Sequence, residues 1–190
     1  MALNVTAWEI TAAASAALIF QAGALWALGR PFLCSQGKFK LWEGDPSSDC
    51  LSQHLTDWYS FTHVIHGVLF YFLVWLAAPG LSICVGFLIA LALEVGWEIL
   101  ENTPFAIRHY RKQAPAEGYG GDSIVNSLVD TLAMALGFLL AWRLPVLAVL
   151  AMSIVLELFV ALKIRDNFTL NVLNFIYPFD VIRRWQKNAL

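Results

Sequence analysis

The chain has 190 residues, of which 59% are hydrophobic and 14% charged, with a mean hydropathy of +0.64. An ordinary soluble domain carries about 25% charged and about 45–50% apolar residues, so this composition excludes a soluble domain and a disordered chain, and the length fits a single domain, residues 1–190. The formal net charge of -2 excludes the basic surface of a nucleic-acid binder, and no nucleic-acid partner is expected.

Crossing ~30 Å of hydrocarbon takes about 20 apolar residues in a helix. Five such runs follow in chain order: 8–29, ended by Arg30-Pro31; 62–78, ended by Pro79-Gly80; 81–100; 123–142, ended by Arg143; and 145–162, ended by Lys163. The runs are continuous rather than alternating, which excludes a barrel. They predict an all-α polytopic membrane bundle of about five transmembrane helices. No Lys or Arg precedes Arg30, so the first run lacks the basic region of a signal peptide and is read as a span. In the tail, 163–190, the apolar Phe179, Val181, Ile182 and Trp185 alternate with the basic Arg183, Arg184 and Lys187. That pattern predicts an amphipathic helix lying on the lipid surface.

Basic residues orient the bundle. Five spans place 30–61, 102–121 and the tail on one side. That side holds Arg30, Lys38, Lys40, Arg108, Arg111, Lys112, Lys163, Arg165, Arg183, Arg184 and Lys187; the other holds only Arg143. The expected location is a bacterial inner membrane, with the N-terminus outside and the C-terminus cytoplasmic. The cysteines are Cys34, Cys50 and Cys84, with no Cys-x-x-Cys pair. Cys34 and Cys50 fall on the cytoplasmic side, where thiols stay reduced, so no disulfide is expected between them.

Ionisable residues inside spans are costly and mark functional sites by default. His54 and Asp57 precede the second span, and His63 and His66 open it, three apart on one helix face. Glu94, Glu98 and Glu101 end the third span within a sector of about 60° on an ideal helix. Glu101 and Asn102 also fit a solvated helix end. Asp122, Asn126 and Asp130 open the fourth span four residues apart; Asp122 also fits a helix N-cap, whereas Asp130 lies two turns in, beyond the reach of a cap. The small Ser127, Ala133 and Gly137 of that helix permit close helix contact. Glu157 near the end of the fifth span is expected to pair with Lys163 or an arginine, with Arg165 and Asp166 following it. All these groups fall in the same leaflet half, which predicts one polar pocket facing the cytoplasm beneath an apolar outer half.

At these residues the chain resembles a family of alphaproteobacterial membrane proteins whose domain has no assigned function. The resemblance rests on Ser52-Gln-His54-Leu-Thr-Asp57-Trp-Tyr59, on His63-Val-Ile-His66-Gly67, on Trp97-Glu98-Ile-Leu-Glu101-Asn102 and on Tyr119-Gly-Gly-Asp122-Ser-Ile-Val-Asn126-Ser127. Lys40-Leu-Trp42 and Ile164-Arg-Asp166-Asn-Phe-Thr-Leu-Asn171 extend it, so that it runs from about residue 30 into the tail. It implies a multi-pass inner-membrane protein and brings no activity. A fainter similarity, to VanZ-like membrane proteins, matches Asp130 and Gly137 of one helix motif, with Met134 where that motif has Asn.

Three functions fit the pattern. The first is a lipid-directed enzyme, in which His63, His66, Glu94 and Asp122 bind zinc, iron or manganese and Glu98, Glu101 or Asp130 does acid–base work on a lipid or lipid-linked substrate. The second is a structural or assembly protein whose polar cluster fixes helix packing. The third is a small transporter or proton-binding protein, for which a homo-oligomer would offset the low number of spans.

Overall fold

The computed structural model describes residues 6–34, 36, 37, 39–111 and 118–187. Helix α1 (Ala7–Ala27) starts at Thr6, whose hydroxyl accepts the Glu9 N–H while the Glu9 carboxylate accepts the Thr6 N–H, a reciprocal cap. It ends as Gly29 turns to a φ of 75°, and the Arg30 N–H donates to the Leu25 carbonyl. The segment from Arg30 to Tyr59 then crosses one end of the bundle. It holds a two-residue parallel pair, β1 (Trp42–Glu43) and β2 (Thr56–Asp57), with Trp42 opposite Thr56.

Helices α2 (Ser60–Ala77) and α3 (Ile83–Glu101) are joined by a tight turn through Pro79-Gly80, and the Ser82 hydroxyl caps α3. Thr103 caps the short α4 (Pro104–Tyr110), with proline in the first turn, where its missing N–H costs nothing. Helix α5 (Ile124–Arg143) is capped by Ser123; Asp122 sits one residue outside and does not cap it. Helix α6 (Val146–Ile164) follows Pro145 and stops at Arg165, which takes a left-handed φ of 53°. Two short helices finish the described chain, α7 (Phe168–Ile176) and α8 (Asp180–Lys187).

The protein is all-α apart from the small strand pair. The five helices α1, α2, α3, α5 and α6 are each long and apolar enough to cross a membrane, and each bound falls within two residues of the sequence expectation. The tail differs from that expectation. It is two helices rather than one, because Pro178 disfavours helical continuation through Tyr177. Lys38, Lys112 and residues 188–190, which entered the charge and tail arguments, lie outside the described residues.

The spine of the bundle is the α2–α5 pair. A Cβ on Gly67 would run into the Met134 carbonyl and the Phe138 nitrogen, and one on Gly137 into the Val64 carbonyl. Only glycine at both positions lets the two backbones meet. Around this seam Ala90, Leu91, Val95, Met134 and Phe138 form a buried cluster, with Tyr71 and Phe87 set edge-on to Phe138. Helix α6 turns outward residues such as Leu147 and Leu162, each more than 80% exposed. Such a surface is costly in water and free of that cost in hydrocarbon.

One sequence expectation is overturned in the crossing segment. Cys34 and Cys50 are joined by a disulfide, where two free thiols were expected. The expectation rested on compartment; the geometry comes from the chain itself. The Cys34 N–H donates to the Gln53 carbonyl, folding the segment back so that the two Cα atoms lie 5.6 Å apart, within bridging range.

Candidate metal centre

Helix α2 supplies His63 and His66 one turn apart, and α3 supplies Glu94 and Glu98 one turn apart. Where these helices meet, one carboxylate serves two rings. Glu94 Oε1 lies 2.6 Å from His63 Nδ1 and Glu94 Oε2 lies 2.9 Å from His66 Nδ1. With both Nδ1 atoms directed at Glu94, each ring keeps Nε2 for another partner. The second carboxylate, Glu98, accepts from the Ser127 hydroxyl at 2.6 Å through Oε2. His63 Nδ1 lies closer to Glu94 than to Glu98 Oε1, 3.3 Å away, and Glu98 Oε1 is buried with no hydrogen-bond partner among the described residues. Glu94 and Glu98 are both 0% exposed.

Two sets of three side chains bring ligand atoms within 4.8 Å of one another here: His63, His66 and Glu94, and His63, Glu98 and Glu101. Bonds of about 2.0–2.2 Å to a tetrahedral metal place neighbouring ligand atoms about 3.3–3.5 Å apart. The imidazole–carboxylate separations of 2.6 and 2.9 Å would have to open by about 0.4–0.9 Å to meet that geometry. Mixed nitrogen and oxygen donors suit zinc, iron or manganese.

The histidines line a cleft of about 670 Å³ including its mouth. Glu101, Asp122 and Asp130 share its wall, and Trp97 and Phe168 give it apolar surface. Asp122 is not grouped with the histidines as a ligand. It is held by Asn102 Nδ2 at 2.6 Å and the Tyr119 hydroxyl at 2.9 Å, and its own N–H donates to Asn102 Oδ1. Asn102 is thus fully buried and Glu101 faces the cleft, so this end of α3 is not a solvated terminus. Asp130 accepts from the Ser60 hydroxyl at 2.6 Å.

The other residues singled out from the sequence surround the cleft without all entering it. Asp57 is buried, with Oδ1 taking the Tyr59 N–H and Oδ2 accepting no hydrogen bond among the described residues; burial pushes its carboxyl up to about 6. Asn126 is buried beneath the crossing segment, its Nδ2 toward the Leu55 carbonyl. His54 lies apart, beside Glu43 and the cysteines. Asp166 takes the Tyr59 hydroxyl at 3.0 Å, and burial raises it to about 7. Burial likewise raises Asp122 above the ordinary carboxylate range. Arg165 reaches the Trp185 carbonyl, away from the cleft. Glu157 makes no ion pair among the described residues. Its two oxygens accept the Phe168 and Thr169 N–H groups, so a carboxylate expected to pair with a cation instead caps the positive end of α7.

Three contributions escaped the sequence reading. Gln21 of α1 is fully buried, donating to the Ser127 hydroxyl and accepting from Thr131. Its signal was a lone amide deep in an apolar run. The α7 residues Phe168, Asn171 and Val172 wall the cleft, and only the amide-rich run Asn167–Asn174 hinted at that. The third is a set of caps: the Ser123, Ile124 and Val125 N–H groups donate to the Ser52, Pro31 and Phe32 carbonyls. The crossing segment thereby satisfies donors that a helix start otherwise leaves open.

Fold and cleft together define an all-α bundle with five membrane-length helices and a buried histidine–carboxylate group opening on one end. The particular family is also clear. Residues 25–188 match the family described as "Protein of unknown function (DUF2585)", and the chain belongs to it. It is 51% identical over 159 residues to a UPF0314 protein of Sinorhizobium fredii and 52% identical to one of Rhizobium meliloti, each match covering 84% of this chain and 81% of the relative. A UPF0314 protein of Sphingopyxis alaskensis is 44% identical over 181 residues, 95% of both chains. These matches do not show the VanZ-like likeness. No solved structure matches.

Proposed function

We propose that the protein resides in the bacterial inner membrane with its cleft toward the cytoplasm, and that it is a metal-dependent enzyme acting on a lipid or lipid-linked substrate. One observation carries this reading: the ligand atoms of His63, His66 and Glu94 lie within 4.8 Å of one another, beside a buried Glu98 oxygen that accepts no hydrogen bond among the described residues, on the wall of an open cleft. A purely architectural network would satisfy its acceptors and leave no cavity.

His63, His66 and Glu94 would hold a divalent ion, which would supply acidification of a bound water and polarisation of an ester or phosphoryl oxygen. Glu94 would complete the ligand set with both imidazoles. Glu98 is placed to accept a proton through Oε1, with the Ser127 hydroxyl steadying Oε2. Trp97, Phe168 and Leu51 offer apolar surface to an acyl chain. Arg108, near the end of α4 at the same end of the bundle, supplies positive charge for an anionic head group.

The test is elemental analysis of full-length protein purified in detergent. Zinc, iron or manganese is expected near one per chain at this centre, and the His63→Ala/His66→Ala double variant loses that equivalent. Native protein that stays folded and takes up no such ion overturns the reading. In cells lacking the gene, one lipid class should accumulate and be cleared by the wild-type gene but not by Glu98→Gln.

The architectural alternative draws on the link Gln21–Ser127–Glu98, which ties α1, α5 and α3 together. It expects Glu98→Gln to unfold the protein. The enzyme reading expects a folded and inactive one.

A further inference from the structure

The crossing segment holds a second group of ligating atoms that shares no residue with the cleft centre. The sulfurs of Cys34 and Cys50 and one imidazole nitrogen of His54 lie within 4.8 Å of one another. All three residues are buried, at 6%, 4% and 3% exposure. His54 Nδ1 is buried and has no hydrogen-bond partner among the described residues, while Nε2 faces Glu43 Oε2 at 3.4 Å. A carboxylate behind one ring nitrogen is the arrangement that fixes a metal-binding histidine's tautomer and makes it a better donor. Glu43 is itself held by Lys40 Nζ at 2.7 Å and the Asp45 N–H at 3.1 Å.

The basic residues argue against a lasting disulfide here. Nine of the ten described Lys and Arg residues fall on the side that carries this segment, the distribution expected of a cytoplasmic face, where the glutathione and thioredoxin pools keep thiols reduced. We propose that Cys34, Cys50 and His54 form a thiolate–imidazole zinc site in the reduced protein, and that the disulfide is its oxidised, metal-free form. Interconversion is balanced by a dithiol donor: the donor closes its own disulfide and passes two electrons and two protons to the Cys34–Cys50 bond, giving two thiols. Zinc then displaces the two thiol protons, and His54 enters as the neutral imidazole. Either form staples the segment that places Leu51 and Ser52 on the cleft wall and the Ser52 carbonyl on the Ser123 N–H.

Full-length protein in detergent, reduced with dithiothreitol and stripped by a chelator, is titrated with cobalt(II). Sulfur-to-cobalt charge-transfer absorption is expected, with a final intensity of one such site per chain once all binding is saturated. It should be absent from protein left oxidised and from Cys34→Ser/Cys50→Ser, and unchanged in His63→Ala/His66→Ala. Glu43→Gln should weaken binding about 10–100-fold. The comparison of reduced with oxidised wild type needs no variant to fold. The sulfur band separates this site from the nitrogen and oxygen ligands of the cleft, so either site can fail alone. Reduced wild type without that band, or a band that His54→Ala leaves unaltered, overturns the proposal. So does alkylation of intact cells that finds the pair wholly oxidised, which would place this face in an oxidising compartment.

Discussion

At one end of the bundle His63, His66, Glu94, Glu98, Asp122 and Asp130 lie buried within hydrogen-bond reach of partners on other elements. At the other end, Trp75, Leu81, Ile83 and Trp142 surround a space that no charged side chain lines. The same helices build both. In hydrocarbon there is no hydrophobic gain from helix association, so specificity falls to close backbone contact and to interhelical hydrogen bonds. The polar end has both. The apolar end relies on dispersion among exchangeable side chains. The polar end therefore has one permitted geometry, and the apolar end tolerates many.

Four changes break or sharpen this contrast. The largest effect is expected where the two ends join: Gly137→Leu drives a side chain into the Val64 backbone and should cost about 3 kcal/mol or more, read as loss of monodisperse protein or a collapsed melting temperature in detergent. Next is the pH response of the polar end. Asp166 is pushed by burial from an ordinary 3.8 to about 7, so the native state holds its proton more tightly than the unfolded chain. Stability should then fall as pH rises from about 4 to about 7 and level off above, by about 2 kcal/mol between pH 5 and 7. Thermal melts across that range should show the slope, and Asp166→Asn should reduce it, leaving the part that the raised Asp57 and Asp122 carboxyls contribute.

A smaller effect is expected at Glu157→Ala, which strips the carboxylate from the first N–H groups of α7. A loss of about 1 kcal/mol follows from a missing cap, with faster amide exchange confined to α7, because Asn167 still caps Leu170. The smallest is Leu147→Ala on the outward face of α6, expected within about 0.5 kcal/mol in the same melts. A large loss there would end the contrast between a specified end and a tolerant one.

The five long helices were legible because continuous apolar runs and their breakers, Pro79-Gly80 and Arg143-Leu-Pro145 among them, are local signals. So was the face that His63, His66, Glu94 and Glu98 share, since helical spacing fixes it. What escaped depends on tertiary placement. Gln21 reads as one tolerated amide until α5 is set beside it. Glu157 looks like half of an ion pair until the chain reverses at Arg165 and presents the start of α7. Asn102 and Glu101 look solvated until Asp122 folds over them. The Cys34–Cys50 bridge was missed because the turn that brings the two Cα atoms to 5.6 Å is a matter of loop geometry, which spacing does not reveal.

The seam at Gly67 and Gly137 also divides the candidate site into two mechanical parts. Helices α2 and α5 are locked main chain to main chain, so the imidazoles of His63 and His66 keep a fixed relation to Asp130 and Ser127. Helix α3 has no such lock; its Gly96 faces open space. Glu94 and Glu98 are tied to that pair by side-chain contacts alone, Glu94 to both imidazoles and Glu98 to the Ser127 hydroxyl. The imidazoles thus owe their placement to main-chain contact, and the carboxylates theirs to hydrogen bonds that a single substitution removes.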